Sequence, residues 1–71
     1  MALRWEVNVP ALQRAQVLHG WTQRELAQAA VVDVETLRHL YSGRRRPTFR
    51  TIQALRTALG LEMHEVIRFL D

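Results

Sequence analysis

Six of the ten arginines in this 71-residue chain, Arg38, Arg44, Arg45, Arg46, Arg50 and Arg56, fall within residues 34–56, where Glu35 is the only acid. That stretch carries +5, residues 1–33 balance to zero, and residues 57–71 carry −2. Every basic residue is arginine. A guanidinium is a planar fork of N–H donors that matches a phosphate or the edge of guanine. Positive charge gathered in one segment is what a face that meets a polyanion requires. Other chemistries find too few groups. There is no cysteine, so disulfides and cysteine-based zinc sites are excluded. His64-Glu65-Val66-Ile67-Arg68 begins like the zinc-protease pattern, but Arg68 stands where the second histidine ligand belongs. Ser42 is the only serine, with no nucleophile-elbow glycines around it, and there is no glycine-rich phosphate loop. Catalysis, metal and cofactor are therefore not expected.

The elements that must carry these arginines follow from periodicity and caps. Residues 1–9 alternate, with Leu3, Trp5, Val7 and Val9 on one side, which predicts a short strand or arm ended by Pro10. A first helix runs from about Pro10 to Leu18, with Leu12, Ala15 and Leu18 on one face and Gly20 as its stop. Thr22-Gln23-Arg24-Glu25 is a capping box that starts a second helix, continuing to about Ala30, with Trp21 and Leu26 spaced as a hydrophobic staple. Asp33 caps a third helix from Val34 to about Ser42, stopped by Gly43. After the Arg44-Arg45-Arg46-Pro47 loop, Thr48 caps a fourth helix from Phe49 to Leu59, with Ile52, Leu55 and Leu59 inward. A fifth follows from about Glu62, with Met63, Val66, Ile67 and Leu70 as its apolar stripe. Apolar residues at 48% and charged residues at 24% indicate a globular chain, and its length indicates one domain over residues 1–71. The fold class expected is all-α.

Two short capped helices over residues 22–42, separated by a brief turn, form a helix-turn-helix. Leu26, Ala30, Val32, Leu37 and Leu40 supply a shared core, and Ala27 is small enough for the helices to cross closely. Val34, Glu35, Arg38, His39 and Ser42 are left on the free face of the third helix, a rod of the right width for the DNA major groove.

The run Gly20-Trp21-Thr22-Gln23-Arg24-Glu25-Leu26-Ala27 resembles the opening of the Xre family, named with phage Cro and phage repressors. Gly43-Arg44-Arg45-Arg46-Pro47-Thr48 and Leu59-Gly60-Leu61 resemble its later motifs, in register from residue 12 to about 70. The resemblance implies a five-helix, phage-repressor-like DNA-binding fold, usually a homodimer on a near-palindromic operator. It implies base reading by Val34, Glu35, Arg38 and His39, to which Ser42 is added from the free face. It implies phosphate contacts by Gln23, Arg44, Arg45 and Arg46, to which Arg50 is added. Two positions depart from the family pattern. Val31 stands where many members have glycine, so the turn either takes another conformation or holds strain. Gln16 and Tyr41 stand where members often bury an Arg–acid pair, so a tyrosine hydroxyl hydrogen bond is the available substitute.

Simpler roles compete at each site. Arg38 can pair with Glu35 one turn back instead of guanine. Glu35 can stabilise a helix start instead of accepting from cytosine, and Val34 can touch a thymine methyl or simply be exposed. Asp33 is expected as a cap, His19 and His64 as surface residues, and Trp21 as core. The N-terminal strand needs a partner for its backbone groups. Its own copy in a dimer, the C-terminal segment near Phe69, and the minor groove through an arm led by Arg4 are all open to it, and the first is favoured. The expected function is a sequence-specific double-stranded-DNA-binding transcriptional regulator, a repressor with no small-molecule effector. The rival is a protein-interaction or antitoxin-like module on the same scaffold. No membrane association or signal peptide is expected. The expected location is the cytoplasm, associated with the nucleoid, for a protein of prokaryotic or phage origin.

Overall fold

The computed structural model describes residues 4–44 and 46–70. The elements run β1 (Trp5–Val7), α1 (Val9–Leu18), α2 (Gln23–Ala30), α3 (Val34–Ser42), α4 (Phe49–Leu59), α5 (Met63–Val66) and β2 (Ile67–Phe69). The five helices enclose one core of Leu12, Ala15, Leu26, Ala27, Leu37, Leu40, Ile52, Leu55, Leu59 and Val66, each at most 6% exposed. No polar or charged side chain among the described residues is buried. Hydrophobic burial around the helix-turn-helix therefore holds the core together, with no buried ionic brace among the described residues. Leu18 is the exception to the expected inner face of α1: it is 79% exposed.

Local chemistry sets the helix starts. The side chains of Asn8, Thr22, Asp33 and Thr48 accept from backbone N–H groups in the first turns of α1 to α4. At α2 the box is reciprocal: Glu25 N donates to Thr22 Oγ1 at 3.1 Å, and Thr22 N donates to Glu25 Oε1 at 2.9 Å. Asn8 lies two residues before Pro10 and caps a helix that begins one residue earlier than periodicity suggested.

The helix ends reveal the strain left open at Val31. α3 closes with Gly43 at φ 74°, where Arg44 N donates to His39 O at 3.1 Å and Gly43 N to Leu40 O at 3.2 Å. The end of α2 repeats this left-handed motif with valine in the glycine position: Val31 has φ 57°, Val32 N donates to Ala27 O at 2.9 Å, and Val31 N donates to Gln28 O at 3.2 Å. A β-branched residue there is strained by about 1–2 kcal/mol. Val31 is 89% exposed, so its side chain returns little by burial. Val31→Gly is expected to raise stability by about 1 kcal/mol after the extra chain entropy of glycine is deducted. That corresponds to a melting temperature higher by roughly 4–8 °C. A calorimetric scan with an unchanged or lower midpoint would reject the strain.

The two ends of the chain depart from expectation. β1 pairs antiparallel with β2 in the register Trp5↔Phe69, Glu6↔Arg68 and Val7↔Ile67. Asn8 N donates to Val66 O at 2.8 Å and Leu70 N to Arg4 O at 2.9 Å, which extends the ladder on both sides. The strand's partner is thus the C-terminal segment, not a second copy as favoured, and residues 5–7 are not a free arm. The fifth helix is correspondingly a single turn. After Val66 the chain turns extended, with Ile67 at φ −128°, ψ 159°, and Leu70 is 51% exposed instead of lying on a helix stripe. The run Val66-Ile67-Arg68-Phe69 is β-branched and aromatic apart from Arg68, and a waiting strand offers it the backbone partners that a longer helix would have supplied.

Candidate nucleic-acid interface

α3 is anchored on one side and open on the other. Leu37 (0% exposed) and Leu40 (4%) are buried against the other helices. Glu35, Arg38 and Ser42 are exposed and His39 is half-buried. Together with Arg44 they line a shallow solvent-facing hollow of about 240 Å³. The spacing that buries 37 and 40 necessarily turns 35, 38, 39 and 42 outward. Four of the five base-reading candidates therefore converge. The fifth, Val34, is half-buried and packs on the core, so its free surface is smaller than the helical spacing alone suggests.

The hollow has internal electrostatics. Arg38 Nη1 donates to Glu35 Oε1, and His39 Nε2 lies 3.8 Å from Glu35 Oε2. The Arg38 and Glu35 side chains are 56% and 57% exposed. An exposed pair one turn apart on a helix is worth only about 0.2–0.5 kcal/mol. Glu35 therefore orients Arg38 without locking it. Ser42 Oγ donates to His39 O at 3.1 Å, which ties that hydroxyl to the helix end.

The phosphate candidates do not form one cluster. Arg44 sits at the rim of the α3 hollow. Arg46 turns towards β1, with its guanidinium carbon 5.3 Å from the centroid of the Trp5 ring. Arg50, in the first turn of α4, lines a separate depression with Phe49, Ala29 and Ala30. Gln23 is half-buried at the first position of α2. Arg45 lies outside the described residues. Trp5 is the residue that sequence reasoning missed: it stands 41 positions from Arg46, and no local pattern links them.

Two linked hydrogen bonds add a polar brace to the packing of α3. Tyr41 Oη donates to Gln16 Oε1 at 2.8 Å, and Gln16 Nε2 donates to Trp21 O at 3.1 Å. The substitute brace anticipated from Gln16 and Tyr41 is therefore made, and it links α3, α1 and the lead-in to α2. Partial burial pushes the Tyr41 hydroxyl up to about 12 from its ordinary 10. A raised folded-state value means that the stabilising neutral form is fully present below pH 10 and is lost as pH climbs towards 12. Tyr41→Phe is expected to lower stability by about 1 kcal/mol at neutral pH, since Gln16 Oε1 loses its donor. It is also expected to shrink the stability loss between pH 10 and 12. Urea midpoints at neutral and alkaline pH check both. Nearby, His19 Nε2 donates to Leu59 O at 3.0 Å and its ring stacks on Trp21 with centroids 4.5 Å apart. His19 is thus exposed as expected, yet it joins the end of α1 to the end of α4.

Among the described residues no group of three or more His, Cys, Asp or Glu could hold a metal ion, and no helix is long and apolar enough to cross a membrane. A family model described as helix-turn-helix matches residues 12–66, which run from within α1 to the end of α5 and leave both strands outside. No curated protein and no solved structure matches the chain significantly.

Proposed function

The chain belongs to the helix-turn-helix family of DNA-binding regulators, which bears out the resemblance to the Xre family, and from that premise we propose that it is a sequence-specific repressor acting as a homodimer. α3 enters the major groove of double-stranded DNA. Arg38 is assigned to a guanine, Glu35 to a cytosine amino group, and His39 and Ser42 to flanking base or phosphate edges. Arg44, Arg45, Arg46, Arg50 and Gln23 are assigned to the backbone, where they set register.

The observation that carries this reading is the convergence of Glu35, Arg38, His39, Ser42 and Arg44 on one open face of a helix whose other face is buried. That face is polar and hydrogen-bonding, which favours nucleic acid over an apolar protein partner. An apolar surface lies elsewhere: Phe49 is 58% exposed beside Ala29, Ala30, Ala54 and Ala58. It supports a protein contact, assigned here to the second protomer. Two protomers would then present their third helices to half-sites about 34 Å apart on a near-palindromic operator.

Selection from a pool of random duplexes, followed by titration of the enriched sequence over a range of salt, tests the proposal. The expected result is a two-fold symmetric consensus and twice the protomer mass in sedimentation. The plot of log affinity against log salt should be steeper than about −3, as when four or more phosphates lose their counterions. No enrichment, together with no duplex affinity even in dilute buffer, would overturn it.

A further inference from the structure

The two strands lie outside the family-matched segment, yet β1 reaches the loop that follows α3. The β1–β2 ladder is held by its backbone bonds and by Arg68 Nε donating to Glu6 Oε1 at 2.6 Å. It presents Trp5 and Val7 to a groove whose other wall is Leu40, Gly43 and Pro47. The Arg46 guanidinium lies over the Trp5 ring within the range of a cation–π contact.

We propose that Trp5 is a positioning residue for DNA binding: from the appended sheet it holds the exposed guanidinium of Arg46 beside the end of α3, in the posture that meets a backbone phosphate. This rests on the assignment of Arg46 to the phosphate set. The physical basis is entropic and electrostatic. A free arginine carries about 2 kcal/mol of rotamer entropy. A ring face removes much of that freedom before the phosphate arrives and leaves the N–H edges of the guanidinium available to it. The contact needs both strands, because the pairing of Trp5 with Phe69, together with its packing against the core, fixes the ring in place. Phosphate contacts carry no sequence information, so the effect acts on affinity alone.

The test is a cycle of Trp5→Ala, Arg46→Ala and the double variant, with Trp5→Phe as the conservative exchange, each titrated against the selected duplex and a random duplex. Trp5→Ala is expected to weaken both duplexes by about two- to fivefold, the weight of an exposed cation–π contact. It should flatten the salt plot by up to about one unit. Trp5→Phe should restore most of the loss. The double variant should be no weaker than Arg46→Ala alone. Additive losses, or an unaltered salt slope, would overturn the proposal, because a purely structural Trp5 weakens binding without regard to Arg46. A second readout needs no DNA: the Arg46 side-chain protons should be shifted by the Trp5 ring current in NMR spectra and lose that shift in Trp5→Ala, and its absence in the unaltered protein would also reject the proposal. Lack of duplex affinity in the unaltered protein, with the ring-current shift present, would instead sink the DNA reading on which this rests.

Discussion

Replacing Arg38 by alanine is expected to cut discrimination between the selected operator and random DNA by about 5- to 150-fold, the equivalent of one bidentate guanine contact at about 1–3 kcal/mol. Magnitudes decide between the two roles open to this residue. Its pairing with Glu35 is exposed on both sides and worth at most about 0.5 kcal/mol. In the proposed role a guanine edge would outcompete that pair and leave Glu35 free to accept from a neighbouring cytosine. The substitution has a second consequence. It leaves the Glu35 carboxylate without its arginine, facing a polyanion, so affinity for random DNA also falls, though by less. Adding Glu35→Gln to Arg38→Ala should recover that non-specific part and leave discrimination low. Parallel titrations on both duplexes separate the effects. Equal losses on both, unchanged by Glu35→Gln, would remove Arg38 from base reading.

Leu37→Ala is expected to cost about 2–5 kcal/mol, the usual penalty for emptying a fully buried leucine site. A chain of this size has a total stability of only a few to about 10 kcal/mol. The substitution therefore consumes a large part of it and lowers the melting temperature by roughly 10–30 °C. Leu37 is 0% exposed and lies on the α3 face opposite Arg38 and His39, so the site cannot collapse without moving the helix that carries them. DNA binding should fall with folding, and cooling should restore both. A melting temperature within a few degrees of the parent's would mean that α3 is held by something other than this contact.

The core and the helix-turn-helix were legible in the residues because their determinants are local. Capping side chains act within three positions, glycine stops act at one, and the 3.6-residue period assigns faces. Thr22, Glu25, Asp33, Gly43 and the stripe of Ile52, Leu55 and Leu59 hence agree with the structure without knowledge of their neighbours. Long-range pairing is different, since nothing in a short window states what will lie beside it. Val66 to Leu70 suits a helix stripe or a strand equally in pattern, and the presence of Trp5–Val7 alongside is what selects the strand.

Residue types and spacing determined that arginine-rich chemistry follows a capped helix with one apolar face. Tertiary structure alone decided that Val31 is held left-handed and that β1 meets β2 so that Trp5 lies under Arg46. The division has one physical cause: local preferences are summed along the chain, whereas these contacts exist only after burial of the shared core has brought distant segments together.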